Sequence, residues 1–146
     1  MDAMADVDLT QRASFAHFTP ITLRYSDQDP MQHINNCAYA AFIEAARVAL
    51  LDTVIKSGGH EGLDFILARV AIDYRQELHY PNTIDVGARL LRLGTKSMTS
   101  GYGIFLGDEC VATGESVNVF YDMRTRKTVL PPDDVRQNLE ALIAAS

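Results

Sequence analysis

The chain has no tryptophan, two cysteines and five prolines in 146 residues. Cys37 and Cys110 are too few for a disulfide framework and form neither a CxxC nor a zinc-ligand spacing. Such a pair reads as free, buried thiols in a reducing cytoplasm. Positive charge is short as well: 13 Lys and Arg stand against 19 Asp and Glu, for a net charge of −6. That balance argues against broad binding to nucleic acid or to an anionic membrane. No apolar run is long enough to span a bilayer. The opening stretch MDAMADVDLTQRAS is polar and acidic and fits neither a signal nor a transit peptide. Repeats, internal linkers and low-complexity tracts are also missing, and 47% hydrophobic residues argue against disorder.

What remains is a chain the size of one domain, large enough to bury most of its apolar surface. Residues 1–14 are expected to be a flexible lead-in and 15–146 a single domain. A first strand is expected over Phe18–Ser26. A long helix follows in NNCAYAAFIEAARVALLDTVIKSGGH, with Asn35 or Asn36 as its N-cap and Gly58-Gly59 as its stop. Cys37 to Ile43 is apolar at every position, so its first two turns lack a polar face, the mark of a helix buried on several sides.

After Gly62 the period changes to two. Ile66, Ala68, Val70, Ile72 and Tyr74 alternate with a more polar set; Ile84, Val86, Ala88 and Leu90 form the next strand. Met98 to Leu106 and a set of one parity, Val111, Thr113, Val117, Val119 and Tyr121, give two more. LPPDDVRQNLEALIAA closes the chain as a short helix, with Asp133 or Asp134 near its start. Four strands joined by short turns favour an antiparallel meander, and a long buried helix needs a sheet that curls around it. The expected class is α+β: a long central helix wrapped by an antiparallel sheet of about five strands, with a short C-terminal helix.

Chemistry concentrates in YSDQDPMQHINN, Tyr25 to Asn36, just before the helix. Asp-x-Asp-Pro and paired asparagines are good turn and cap residues. They are equally good active-site residues, and spacing alone leaves both readings open.

The stretch RYSDQDPMQHINNCAYAAFIEAAR, Arg24 to Arg47, resembles the hot-dog-fold acyl-CoA thioesterases, in particular the 4-hydroxybenzoyl-CoA thioesterase-like branch. Those proteins carry an aromatic residue, Asp-x-Asp, a His-x-Asn-Asn-like segment, Tyr and Glu-x-x-Arg there. The order of strands extends the resemblance over roughly Phe18 to Tyr121. LRLGTKSMTSGYGI, Leu91 to Ile104, looks like the strand that borders the CoA groove. The resemblance implies a hot-dog fold and hydrolysis of an acyl-CoA thioester, with CoA part of the substrate and no cofactor or metal. It also implies a homodimer or homotetramer with sites between protomers.

Thioester hydrolysis needs a nucleophile or base near the carbonyl carbon and hydrogen-bond donors near its oxygen. By position in the motif, Asp29 matches the catalytic carboxylate, with Pro30 restricting it toward extended backbone. Asp27 is expected to brace the loop. The Asn36 backbone N–H falls where an oxyanion donor is implied, His33 orients from behind, and Glu44 is the runner-up carboxylate. Glu44 is also placed to pair with Arg47, three residues on. Tyr39 and Phe42 are expected in the core, and Cys37 lacks a histidine placed to activate it. Arg89, Arg92, Lys96 and Ser97 are candidates for holding the CoA phosphates, with Arg69 and Arg75 behind them. Two other functions stay open: a hot-dog hydratase or dehydratase using His33 and Glu44, and a non-catalytic acyl-CoA-binding module.

Overall fold

A computed structural model describes residues 7–56 and 60–145; the Gly58-Gly59 stop lies outside the described residues. The elements are β1 (His17–Thr22), α1 (Asn36–Lys56), β2 (Leu63–Tyr74), β3 (Thr83–Leu93), β4 (Ser97–Leu106), β5 (Glu109–Asp122), the two-residue β6 (Lys127–Thr128) and α2 (Asp133–Ala144). All strand pairs are antiparallel, in the order β1-β3-β4-β5-β2, with β6 added to the end of β5. The meander places β2 at an edge. The expected α+β class and its order of elements are what the chain adopts.

The core lies between α1 and the sheet that curls over it. Tyr39, Phe42, Ile43, Leu50 and Leu51 pack with Ile84, Val86, Leu90, Tyr102, Ile104 and Phe120, and Val135 and Leu139 of α2 close one end. Tyr39 and Phe42 are thus core residues, as expected. The helix touches the sheet closely at one point: a Cβ on Gly114 would lie 2.8 Å from Ile43 Cδ1. On β5 this close approach admits only small or slim side chains. Ala112, Gly114, Ser116, Asn118 and Phe120 are buried, while Thr113, Val117, Val119 and Tyr121 are half-buried on the other face. From Thr113 onward the more apolar parity of β5 is therefore its outer one, whereas Val111, of the same parity, is buried in the core.

Four other expectations change. The first strand ends at Thr22, because Leu23 N–H donates to Asn82 O and residues Tyr25–Asp27 turn into a short 3-10 helix. β2 carries a bulge between Leu67 and Arg69, and one inserted residue exchanges the faces of a strand. Phe65 and Ile72 consequently pack on the core while Ile66 is exposed, so the single parity from Ile66 to Tyr74 does not hold. The first turns of α1 are not buried all round: Cys37, Ala40, Ala41 and Ala45 are exposed, since the sheet covers one side only. Cys110 is buried as expected, and Cys37 is not.

The lead-in expected to be loose is held from Asp8 onward. Phe15 packs edge-on against Phe18 and Phe105, both at 6.0 Å, on the outer face of the sheet. A Cβ at Gly87 would lie 2.6 Å from that ring, so the glycine makes room for it. Arg12 Nη2 sits 2.6 Å from Asp85 Oδ2, and Arg89 Nη1 donates to Ser14 O at 2.7 Å.

Filling the helix contact tests this packing. Gly114→Val is expected to lose about 1–3 kcal/mol in urea unfolding, the usual cost of overpacking. Thr113→Val, on the opposite face of the strand, is expected to stay within about 0.5 kcal/mol of wild type.

Candidate active site

The loop after β1 is built by its two aspartates. Asp27 is 5% exposed, and its carboxylate accepts the Arg24 backbone N–H at 2.8 Å and the Arg24 guanidinium at 2.7 and 3.1 Å. The guanidinium hydrogen bonds, with the Arg24 backbone N–H and charge adding to them, hold this carboxyl below the usual carboxylate range, against the opposing effect of burial. Asp27 O in turn accepts the Asn35 N–H at 2.8 Å, which fixes where the helix starts. Asp27 braces the loop, as expected.

Asp29 is half-buried. Its Oδ1 accepts the N–H groups of Met31 at 2.9 Å and His33 at 3.2 Å, an Asx-type turn reinforced by Asp29 N–H donating to His33 O. Among the described residues Asp29 Oδ2 accepts no hydrogen bond. The carboxylate is clamped through one oxygen and free at the other.

Asn35 is the N-cap of α1: its Oδ1 accepts the Cys37 N–H at 2.8 Å, and its carbonyl accepts the Ala38 N–H at 2.9 Å. Capping leaves the Asn36 N–H with no acceptor among the described residues. It is an orphan donor at the positive end of a 21-residue helix.

Asn36 borders an open cleft of about 270 Å³, together with His33, Ile34, Tyr39 and the segment Tyr74–Leu78. Tyr74 closes one wall by donating its hydroxyl to Asn36 O at 3.0 Å, with its ring edge-on to Tyr39 at 5.0 Å. Burial, and secondarily the nearby Cys37 thiol, push the Tyr74 phenol up, so it stays a donor. His33 Nε2 is 3.5 Å and His79 Nε2 3.3 Å from the Glu77 carboxylate. Arg75 adds a cation to the rim.

A larger cleft of about 510 Å³ lies at the other end of the sheet, among His60, Arg124 and Leu130. The smaller one carries the free helix N–H, and for acyl transfer that donor outweighs volume.

The residues singled out from the sequence separate into two sets. His33 and Asn36 border the cleft; Asp29 does not, and is joined to it through the His33 backbone N–H that its Oδ1 accepts. Glu44 is exposed on α1 and does not border the cleft; nor does it pair with Arg47, which is buried. Arg92, Lys96 and Ser97 sit at the β3–β4 hairpin. Thr83, at the start of β3, pairs with Thr22 beside the loop. The hairpin is therefore about 33 Å away along the strand at ordinary strand rise. Arg89 is 8% exposed beneath the lead-in, where burial lowers its pKa, so it is not the open strand-face cation that was expected. Tyr74 and Glu77 were not singled out. Their signal was adjacency: they flank Arg75 just where β2 leaves the sheet edge. Among the described residues no group of three or more His, Cys, Asp and Glu is placed to hold a metal ion.

A long helix on a curled antiparallel sheet, with an uncapped N–H behind an Asp-Pro loop, defines the hot-dog class. The sequence profile of the Thioesterase-like superfamily matches residues 23–139, and the chain belongs to that family. It is 26% identical over 130 residues to the Escherichia coli long-chain acyl-CoA thioesterase FadM, covering 86% of this chain and 98% of that one. Among solved structures, the PA5185 protein of Pseudomonas aeruginosa superposes with a TM-score of 0.80 at 32% identity, covering 91% of this chain and 95% of the other. A predicted thioesterase from Bacillus stearothermophilus superposes with a TM-score of 0.80 at 27% identity, over 87% and 96%.

The loop brace gives a pH test. A folded pKa below the unfolded carboxylate value stabilises the fold above about pH 4, and the gain is lost as pH falls through the folded value. Asp27→Asn is expected to cost about 1–2 kcal/mol in urea unfolding at pH 7. The gap to wild type should shrink steadily below about pH 4.

Proposed function

We propose that the protein hydrolyses the thioester of an acyl-CoA to the free acid and CoA. The observation that carries the reading is the unpaired Asn36 N–H on the wall of the cleft. A thioester carbonyl oxygen lodged there gains a donor and the helix dipole as it turns negative in the tetrahedral intermediate. The carboxylate is assigned to Asp29, whose clamped Oδ1 sets its direction and whose free Oδ2 attacks the carbonyl or takes a proton from water. His33 holds Asp29 through its backbone N–H. The thiolate of CoA leaves as the intermediate collapses. In this reading CoA enters only as part of the substrate, the activity is cytoplasmic, and no cofactor or metal is given a role.

The CoA moiety is assigned to two groups of cations. Arg75 lies on the rim itself; Arg92 and Lys96 lie at the far end of the same chain. A homodimer reconciles them. If two β2 edges pair antiparallel, the far end of one protomer comes alongside the loop of the other, and each cleft becomes a site between protomers. The likeness to FadM makes long-chain acyl groups the first to try.

A second reading is supported by one contact. His33 and Glu77 both border the cleft and meet at 3.5 Å, an acid–base pair suited to a hydratase or dehydratase. It replaces the pairing of His33 with Glu44, which does not border the cleft.

Thiol release from short, long and aromatic acyl-CoAs tests the proposal. Wild type is expected to turn over at least one class, and Asp29→Asn to fall at least about a hundredfold with an unchanged circular dichroism spectrum. Release that survives in Asp29→Asn overturns the assignment of the carboxylate. No release from any substrate overturns the hydrolase reading, and hydration of an enoyl-CoA would then favour His33 and Glu77.

A further inference from the structure

The cleft holds a second donor without a partner. Tyr39 stands three residues after Asn36 on α1 and borders the same cleft, yet it is only 3% exposed. Among the described residues its hydroxyl makes no hydrogen bond. The other buried tyrosine follows the usual rule for a buried phenol: the Tyr102 hydroxyl lies 2.6 Å from Ser116 Oγ. Among the described residues the side-chain polar atoms sealed away without a partner are Arg89 Nε and Ser100 Oγ. Tyr39 Oη is not one of them, so it still meets open space, and the space this residue borders is the cleft.

The hydroxyl is held in place and kept protonated. Its ring is edge-on to Tyr74 at 5.0 Å and tilted against Phe42 at 5.8 Å. Helical side chains lean back toward the N-terminus, so a residue three places on covers the turn that begins at Asn36. Burial, and secondarily the Tyr74 phenol, push the Tyr39 phenol up, so it stays a donor. Neighbouring donors on the cleft are already engaged. Tyr74 gives its proton to Asn36 O, and His33 meets the Glu77 carboxylate. The backbone N–H groups of Arg75 and Gln76 both go to Val111 O. Tyr39 and Asn36 are left.

We propose that the Tyr39 hydroxyl is the second donor to the thioester oxygen, beside the Asn36 N–H. This rests on the hydrolase reading and deepens it. A carbonyl oxygen has two lone pairs, and one N–H occupies one of them. As the oxygen turns negative, a second fixed donor gains strength just where the barrier lies. The phenol keeps its proton throughout, and no bond to Tyr39 forms or breaks. Its ring belongs to the core, and its oxygen belongs to the site.

Tyr39→Phe removes one oxygen and keeps the ring. In thiol release from acyl-CoAs, kcat is expected to fall about a hundredfold with KM within about threefold. The urea midpoint should hold or rise, because the lost hydroxyl had no partner. Tyr102→Phe gives the opposite pattern: it loses a bonded hydroxyl in the core, so the fold weakens while kcat stays within about threefold. A ketone analogue of a long-chain acyl-CoA, labelled with ¹³C at the carbonyl, reports the contact without turnover. Its bound carbonyl line should move upfield in Tyr39→Phe relative to wild type, as one hydrogen bond is lost. An unchanged kcat, a loss confined to KM, or a carbonyl line common to both proteins would each overturn the role of Tyr39 and leave the hydrolase reading standing. Wild type that releases no thiol overturns the hydrolase reading instead, and the carbonyl line still decides whether Tyr39 touches the oxygen.

Discussion

Everything in this fold follows from how closely α1 lies on the sheet at Ile43 and Gly114. That contact crowds a Cβ at residue 114, and the strand carries Ala112, Gly114, Ser116 and Asn118 inward there, with Thr113, Val117 and Val119 on the other face. A sheet pressed this tightly against a helix must curl, and the bulge between Leu67 and Arg69 is one of the places where β2 bends to follow it. The opposite face then takes its cover from the lead-in, with Phe15 lying over Gly87.

The same contact delivers the chemistry. It holds α1 so that its first turn emerges beside the loop and the end of β2. Asn35 satisfies Cys37 and Ala38, Tyr74 takes the Asn36 carbonyl, and one N–H is left over at the cleft. Such a donor is cheap to keep where water reaches it and effective where a carbonyl replaces that water. The two aspartates divide the work of the loop. Asp27 spends its whole carboxylate on Arg24, while Asp29 is held by one oxygen only. The question raised by the Asp-x-Asp-Pro stretch therefore has a double answer: both residues do turn chemistry, and Asp29 retains a free oxygen.

Local patterns told most of the architecture. Alternation marked β3, turn residues bounded β4, the apolar run marked α1, and the Asn35-Asn36 pair marked its start, because each is set by residues near in sequence. What escaped were effects of distant contact. A one-residue bulge changed the faces of β2 beyond Ala68, and the helix contact set which parity of β5 is inward. Arg89 read as an open strand cation because nothing local tells that Ser14 will lie over it. Glu44 and Arg47 have ideal spacing for a helix pair, yet one is exposed and the other buried, and they do not meet. Tyr74 and Glu77 reach the cleft only because β2 ends beside the start of α1.

The central claim is that the Asn36 N–H holds the thioester oxygen. Its backbone amide can be followed directly in a ¹H–¹⁵N spectrum while a non-hydrolysable ketone analogue of a long-chain acyl-CoA is added. The account predicts that the Asn36 resonance moves downfield with saturation, among the largest shifts in the chain, as the orphan donor gains an acceptor. A bound analogue that leaves Asn36 unmoved, with its shifts gathered around the His60 and Leu130 cleft instead, would contradict it.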